Sequence, residues 1–62
     1  MRFSFIVICG DAILSTRSPE QVFEFLDNLI GTEEAIEASS WCELASVDEE
    51  YETDRVYIHF AA

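Results

Sequence analysis

The fold is organised around residues 18–31, which read SPEQVFEFLDNLIG. Ser18 is a preferred N-cap residue, Pro19 suits the first helical position, and Gln21 occupies the place of a capping-box partner. Gly31 stands where the C-terminus of a helix commonly has glycine. These start and stop signals predict a helix over residues 19–30.

This helix has an apolar face and an acidic face. At about 100° per residue, the apolar face covers roughly 160° of arc; it comprises Val22, Phe23, Phe25, Leu26, Leu29 and Ile30. The acidic face covers about 60° on the opposite side; it comprises Glu20, Glu24 and Asp27. We therefore expect one face to be buried and the other to display carboxylates.

The segment before the helix predicts strand structure. Residues 2–9, RFSFIVIC, are rich in β-branched and aromatic types, as strands are. Both faces of this strand are partly apolar, which predicts a central strand or one that is covered on both sides. Gly10-Asp11 fits a type II′ hairpin turn into a second strand over residues 12–16, with Cys9 opposite Ala12. The alternative is a loop over residues 10–17 that leads directly into the helix.

The segment after the helix predicts a short helix and two further strands. Thr32 can cap a helical piece from Glu33 to Ala38, whose only large apolar residue, Ile36, would pack at the sheet edge. Residues 40–47 and 54–61 alternate apolar and polar types to different degrees and predict strands. The acidic residues between them predict an antiparallel hairpin with a long or extended tip.

Together these elements predict one compact α+β domain over residues 1–62. Its order is β(β)αββ: a small, mainly antiparallel sheet with one amphipathic helix packed on one face. Half of the residues are hydrophobic, which is more than a disordered acidic tail contains. A chain this short buries only about 60% of the surface that its unfolded form exposes, so we expect marginal stability.

The charge is large and unevenly distributed. The chain has 13 Asp and Glu residues against three Arg and no Lys, for a net charge of −10. Residues 1–19 sum to +1 and residues 20–62 to −11. A field of this sign disfavours nucleic acid or an anionic membrane as a direct partner and favours a basic protein surface.

The carboxylates form three clusters, which are the candidate partner-binding residues. The first cluster, on the helix, is Glu20, Glu24 and Asp27. The second, after the helix, is Glu33, Glu34 and Glu37. The third is Asp48, Glu49, Glu50, Tyr51, Glu52 and Asp54, in which Tyr51 is the one aromatic residue. In an extended chain, alternate residues of the third cluster project to one side about 6.6 Å apart. Phosphates of a DNA strand, which rises about 3.4 Å per nucleotide, are spaced on a similar scale. A row of phosphates is therefore one structure that these clusters could imitate; a solvated acidic surface that keeps the protein soluble is the other interpretation.

The sequence contains no pattern typical of a metal site or a catalytic site. An EF-hand loop counted from Asp48 would need Gly at its sixth position and Glu at its twelfth, but Thr53 and His59 stand there. His59 has no nucleophile fixed beside it, and Cys9 lacks the basic neighbours that produce a thiolate. We therefore predict no catalytic residue, no metal, no cofactor and no enzyme activity.

The two cysteines and the larger apolar residues leave alternatives open. Cys9 and Cys42 lie in apolar surroundings, which favours buried free thiols over one disulfide. Trp41 is a candidate for the core or for a partner anchor, and Tyr51 is the aromatic residue expected to be exposed. Ile6, Ile8 and Ile13 would offer a dimer or partner surface if the back of the sheet is uncovered. No segment is long enough to span a membrane, and we expect a cytoplasmic monomer or homodimer.

In size, acidity and the three carboxylate clusters, the chain resembles the small phage-encoded DNA-mimic inhibitors, in particular the short acidic anti-CRISPR proteins that act on type I systems. The resemblance is one of character and involves no sequence motif, so no functional residue is transferred. It implies a non-enzymatic inhibitor that blocks the DNA-binding or PAM-reading surface of a CRISPR-Cas effector subunit inside a bacterial host. Two rivals remain: a regulatory or antitoxin-like module that binds through the apolar sheet face, and a small structural dimer.

Overall fold

The computed structural model describes residues 3–61, which fold into four strands and two helices. The elements are β1 (Ser4–Cys9), β2 (Ala12–Thr16), α1 (Pro19–Ile30), α2 (Thr32–Leu44), β3 (Glu50–Glu52) and β4 (Val56–Ala61). The strands form one antiparallel sheet in the order β2-β1-β4-β3. The predicted α+β class is confirmed, and β1 is a central strand as expected.

The β1–β2 hairpin is confirmed with its predicted register. Gly10 has a φ of +61°, as the first central residue of a type II′ turn requires. Cys9 lies opposite Ala12, and Val7 lies opposite Leu14. The hairpin alternative was therefore the correct one for residues 10–17, and the first strand begins at Ser4.

Helix α1 begins and ends where the sequence predicted, but its capping differs in one respect. The Ser18 hydroxyl accepts a hydrogen bond from the Gln21 amide at 3.4 Å, as an N-cap does. The predicted reciprocal bond of the capping box, from the Ser18 amide to the Gln21 side chain, is wrong. The Gln21 side chain accepts instead from the Thr16 hydroxyl at 2.5 Å, and that hydroxyl accepts from the Ser18 amide at 3.1 Å. Thr16, at the end of β2, thus couples the hairpin to the helix start.

The apolar face of α1 is narrower than predicted. Val22 and Leu26 are fully buried, whereas Leu29 is 48% exposed. The chain leaves the helix through Gly31, whose φ of +105° and ψ of 166° favour glycine. Since this single residue joins α1 to α2, the second helix turns back on the first and leaves Leu29 outside the contact.

The second helix is longer than predicted, and the strand expected over residues 40–47 is wrong. Helix α2 runs from Thr32 to Leu44 and takes in most of that segment. Its buried residues are small, Ala35, Ala38 and Cys42, and they recur at the three- to four-residue spacing of one helix face. Close packing against α1 explains why a helix forms where Trp41 and Leu44 resemble a blurred strand.

Two further expectations for this helix are also wrong. Thr32 is not the cap: Gly31 occupies the N-cap position without a side-chain bond, and the Thr32 hydroxyl donates to Asp27 at 2.6 Å. Ile36 does not pack at the sheet edge and is 51% exposed. Since α2 packs through small residues at other positions, Ile36 is left facing solvent.

The last hairpin lies within the acidic segment. Strand β4 begins at Val56, two residues later than predicted, and its partner is β3, not residues 40–47. The Thr53 amide donates to the Val56 carbonyl at 2.8 Å, and the Thr53 hydroxyl accepts from the Val56 amide at 3.2 Å. This short turn replaces the long tip, so the described element order is ββααββ.

The core lies between the helices and one face of the sheet. Its sheet residues are Phe5, Val7, Cys9, Val56 and Ile58, all buried. Neither helix of residues 3–61 covers the opposite face: Ile8 is 37% exposed and Ile13 is 68% exposed. An antiparallel sheet can keep one solvated face, so of the two alternatives predicted for β1 the structure has the central position and not cover on both sides.

Candidate functional site

Strand β3 places two carboxylates on the open face of the sheet. Glu50 lies opposite His59 and Glu52 lies opposite Tyr57, and paired residues of antiparallel strands project to the same face. Tyr51, between them, pairs with buried Ile58 and faces the helices. The predicted projection of alternate acidic residues to one side is therefore confirmed for Glu50 and Glu52.

A β-bulge brings a third carboxylate towards this face. The amide of Asp48 donates to the Phe60 carbonyl at 2.8 Å, and the amide of Phe60 donates to the Glu49 carbonyl at 3.1 Å. Asp48 and Glu49 thus both lie opposite Phe60, which is the pattern of a β-bulge. Asp48 has a φ of +73°, and bulges of this kind redirect side chains. Asp48 Oδ1 lies 3.9 Å from Nε2 of half-buried His59.

The N-terminal half of α2 adds carboxylates on the other side of β3. Burial and the nearby charges of Glu37 and Glu34 raise the pKa of Tyr51. The Tyr51 ring is half-buried, with its centroid 5.5 Å from that of Trp41, so the expectation of an exposed Tyr51 is wrong. Trp41 in turn packs edge-on against Phe5 at 6.5 Å. An aromatic contact therefore fixes β3 against α2 and brings the second and third acidic clusters together.

We name this surface the acidic edge. It consists of Glu34 and Glu37 on α2 and of Asp48, Glu50 and Glu52 on and beside β3. It borders the free side of an edge strand, where charged residues also prevent pairing with another chain. Residues 3–61 contain one arginine ion pair, between Arg55 and Glu34 at 3.4 Å, and both side chains are partly exposed. The negative potential of the acidic edge is therefore little compensated within the described part of the chain.

Tyr57 also belongs to this surface, although the sequence did not identify it as a partner of the carboxylates. The interaction of its hydroxyl with the Glu50 carboxylate is the main cause that raises the Tyr57 pKa, followed by burial and by the charges of Glu50 and Glu52. The alternation of residues 56–60 placed Tyr57 on the polar side of its strand. Only the pairing of β3 with β4 sets its position opposite Glu52.

The other predicted site residues lie apart from the acidic edge or are otherwise engaged. Glu20 and Glu24 are exposed on α1, which contacts β2 and β1 at the far side of the sheet. Asp27 accepts a hydrogen bond from Thr32. Glu49 accepts from the Ser46 amide at 2.8 Å. The three clusters therefore do not form one continuous row.

Two predicted residues keep an exposed position without a described contact in the site. Glu33 lies in the first turn of α2, where a carboxylate complements the helix dipole. Asp54 lies in the bend between β3 and β4 and does not continue the extended strand. Both contribute to the general negative field, but neither is fixed towards the acidic edge.

The thiols are buried and unbonded, as predicted. Cys9 and Cys42 are both free, with 8% and 4% of their surfaces exposed. Burial, with a smaller effect of the Glu43 charge, raises the pKa of Cys42 from 9.0 to about 12.

This pKa shift predicts a loss of stability at alkaline pH. Below pH 9 the Cys42 thiol is protonated in both states; between 9 and about 12 it ionises only in the unfolded chain, which favours unfolding. The free energy of unfolding should therefore fall faster with pH than in a Cys42→Ala variant, by up to about 1.4 kcal/mol per pH unit. Urea titrations of both proteins across this range measure the difference. Parallel pH profiles would contradict the prediction.

Several kinds of site are not found in the described structure. Residues 3–61 enclose no pocket and contain no group of three His, Cys, Asp or Glu side chains placed to hold a metal ion. Within the same residues, neither helix has the length and apolarity needed to cross a membrane. Comparisons with protein-family models, with curated proteins and with solved structures each gave no match.

Proposed function

We propose that this protein is a non-enzymatic inhibitor that mimics DNA and occupies the nucleic-acid-binding surface of a basic protein. The target class that fits the resemblance stated above is a subunit of a CRISPR-Cas effector, or a similar effector, in the cytoplasm of a bacterial host. The observation that carries this proposal is the acidic edge, whose five carboxylates have one arginine counterion among residues 3–61.

The charge arrangement supports a basic partner. Glu50 and Glu52 are two residue steps apart in an extended strand, about 6.6 Å, and project to the same face as Asp48. Glu34 and Glu37 lie on the other side of β3, close to Tyr51. Arg and Lys side chains that normally contact phosphates could pair with these carboxylates. A net charge of −10 would also accelerate the encounter with such a surface.

Apolar contacts beside the carboxylates would supply the affinity that charge alone does not supply. Electrostatic complementarity raises association rates more than it raises affinity, and buried aromatic residues contribute most to binding. Tyr57 and Ile8 are paired neighbours on the open face, next to Glu52. In the proposed complex, the target covers this part of the sheet as well as the acidic edge.

A capture experiment tests the proposal. The protein is immobilised, incubated with lysate that contains nucleic-acid-processing complexes, and washed at low and at high salt. The expected partner is a nucleic-acid-binding protein that high salt releases, because exposed ion pairs are screened, and that added duplex DNA displaces. A partner that resists salt and ignores DNA would contradict DNA mimicry.

A protein-binding module that uses the open sheet face is the second candidate. The observation that favours it is the exposure of Ile13 and Ile8, at 68% and 37%, on a face without a helix. Such a regulatory or antitoxin-like module would yield the salt-resistant partner of the same experiment. Its binding would be lost in an Ile8→Ser variant and retained when acidic-edge residues are replaced.

A further inference from the structure

The two edges of the sheet differ in charge. The β3 edge carries Glu50 and Glu52, whereas β2 reads AILST and has no charged residue or proline. Proteins usually protect an exposed edge strand from pairing by placing charged residues or proline on it, or by covering it. The β2 edge is therefore the one edge of the described sheet that can accept another strand.

The hairpin register identifies the backbone groups that are free to pair. In a two-residue hairpin, the residues that flank the turn, here Cys9 and Ala12, form a hydrogen-bonded pair. Hydrogen-bonded and non-hydrogen-bonded pairs alternate along an antiparallel ladder. The backbone N–H and C=O groups of Leu14 therefore also form hydrogen bonds to β1. The N–H and C=O groups of Ile13 and Ser15 consequently point away from the sheet. Both residues are exposed.

We infer that the β2 edge pairs with β2 of a second copy of this chain, antiparallel about a two-fold axis at Leu14. This register sets Ile13 opposite the partner's Ser15 and Ser15 opposite the partner's Ile13. Each of these is a bonded pair, so four backbone hydrogen bonds would form between the copies. The two Leu14 side chains would meet on the helix-facing side, where Leu14 already packs against the core.

Charge complementarity selects a second copy as the occupant. The same two-fold axis sets Asp11 opposite the partner's Arg17 at both ends of the interface, and both residues are exposed. Most of the repulsive charge lies elsewhere, because the acidic edge is at the opposite end of the sheet while residues 1–19 sum to +1. Of the remaining acidic residues, Glu20 and Glu24 are exposed on α1, which contacts β2. Strand β3 lies three strand spacings from β2, about 14 Å, which exceeds the Debye length of about 8 Å at physiological salt.

The first test measures mass and amide exchange as functions of protein concentration. The mass should rise from the 7.1 kDa of one chain towards twice that value, and the Ile13 and Ser15 amides should become protected from exchange in parallel. Ser15→Pro removes an outward N–H, which an edge strand tolerates, and should abolish the dimer. Ser15→Ala keeps the N–H and should not. A monomer at all concentrations, or a dimer in which these amides remain unprotected, would overturn the inference.

A charge exchange provides a second test that does not depend on proline. Asp11→Arg alone or Arg17→Asp alone places like charges opposite each other twice per dimer and should raise the dissociation constant about tenfold. The double variant restores opposite charges in reversed order and should return within about threefold of the original value. Failure of the double variant to recover dimerisation would contradict the two-fold register at Leu14. This inference does not depend on the proposed inhibitor function.

Discussion

Replacing Glu50 and Glu52 together by lysine is expected to weaken binding to the captured basic partner at least about a hundredfold, because each buried charge pair that is broken costs about 2–5 kcal/mol. Both side chains project from β3 to the open face, so both would contact one target surface. The measurement is the dissociation constant and the dissociation rate of the variant on that partner. Circular dichroism checks that the fold is kept.

A matched charge reversal on α1 separates local contact from net charge. Glu20→Lys with Glu24→Lys changes the charge of −10 by the same four units, but on a helix that contacts the other side of the sheet. We expect this control to slow association and leave the dissociation rate within about twofold, since charges at a distance act mainly on encounter. Equal losses for both variants would show that only total charge matters and would contradict binding through the acidic edge.

The sequence was a good guide to local structure in its first half. The bounds of α1, the Gly10 turn and the pairing of β1 with β2 depend on residues close together in the chain. Their signals are strong because each requires a particular backbone conformation or hydrogen bond. Prediction was correct for all three, including the register of Cys9 with Ala12, and was wrong at the α1 start only for the side-chain bond of Gln21.

The sequence was a poor guide to α2 for a physical reason. The prediction for this segment depended on its large apolar residues, Ile36, Trp41 and Leu44. The helix packs instead through Ala35 and Ala38, and Ile36 is exposed. Small residues allow two helices to approach closely but give a weak hydrophobic signal. The concentration of Ala and Glu over residues 33–38, all strong helix formers, indicated a helix but not that it continues to residue 44.

The composition of the candidate site was predictable, but its assembly was not. The sequence identified every carboxylate of the acidic edge and the shared face of Glu50 and Glu52. It could not indicate that Glu37 lies near Tyr51 or that Asp48 lies near His59. Those contacts depend on the sheet order β2-β1-β4-β3 and on a bulge, which are set by pairing between distant segments. The same order separates Glu20 and Glu24 from the acidic edge.

Truncating Leu26 to alanine should remove much of the stability of the domain. Leu26 is fully buried in α1, within the cluster that includes Val7, Val22 and Ile58. Such a truncation costs about 2–5 kcal/mol because transfer free energy is lost and a cavity remains. At roughly 0.05–0.15 kcal/mol per residue, a domain of this size has only a few kcal/mol in total. Urea unfolding should give a strongly lowered midpoint, with the slope unchanged if a folded state persists.

Leu29→Ala is the matched control, since it makes the same chemical change one helical turn later on the same helix. Leu29 is 48% exposed, so its truncation removes fewer contacts, creates no closed cavity and should cost less than about 1 kcal/mol. The periodicity of α1 alone placed both leucines on one buried face and would predict similar losses. A large difference between the two variants would therefore support the packing in which α2 turns back at Gly31 and leaves Leu29 in solvent. Similar losses would mean that another surface, such as a second copy of the chain, covers Leu29.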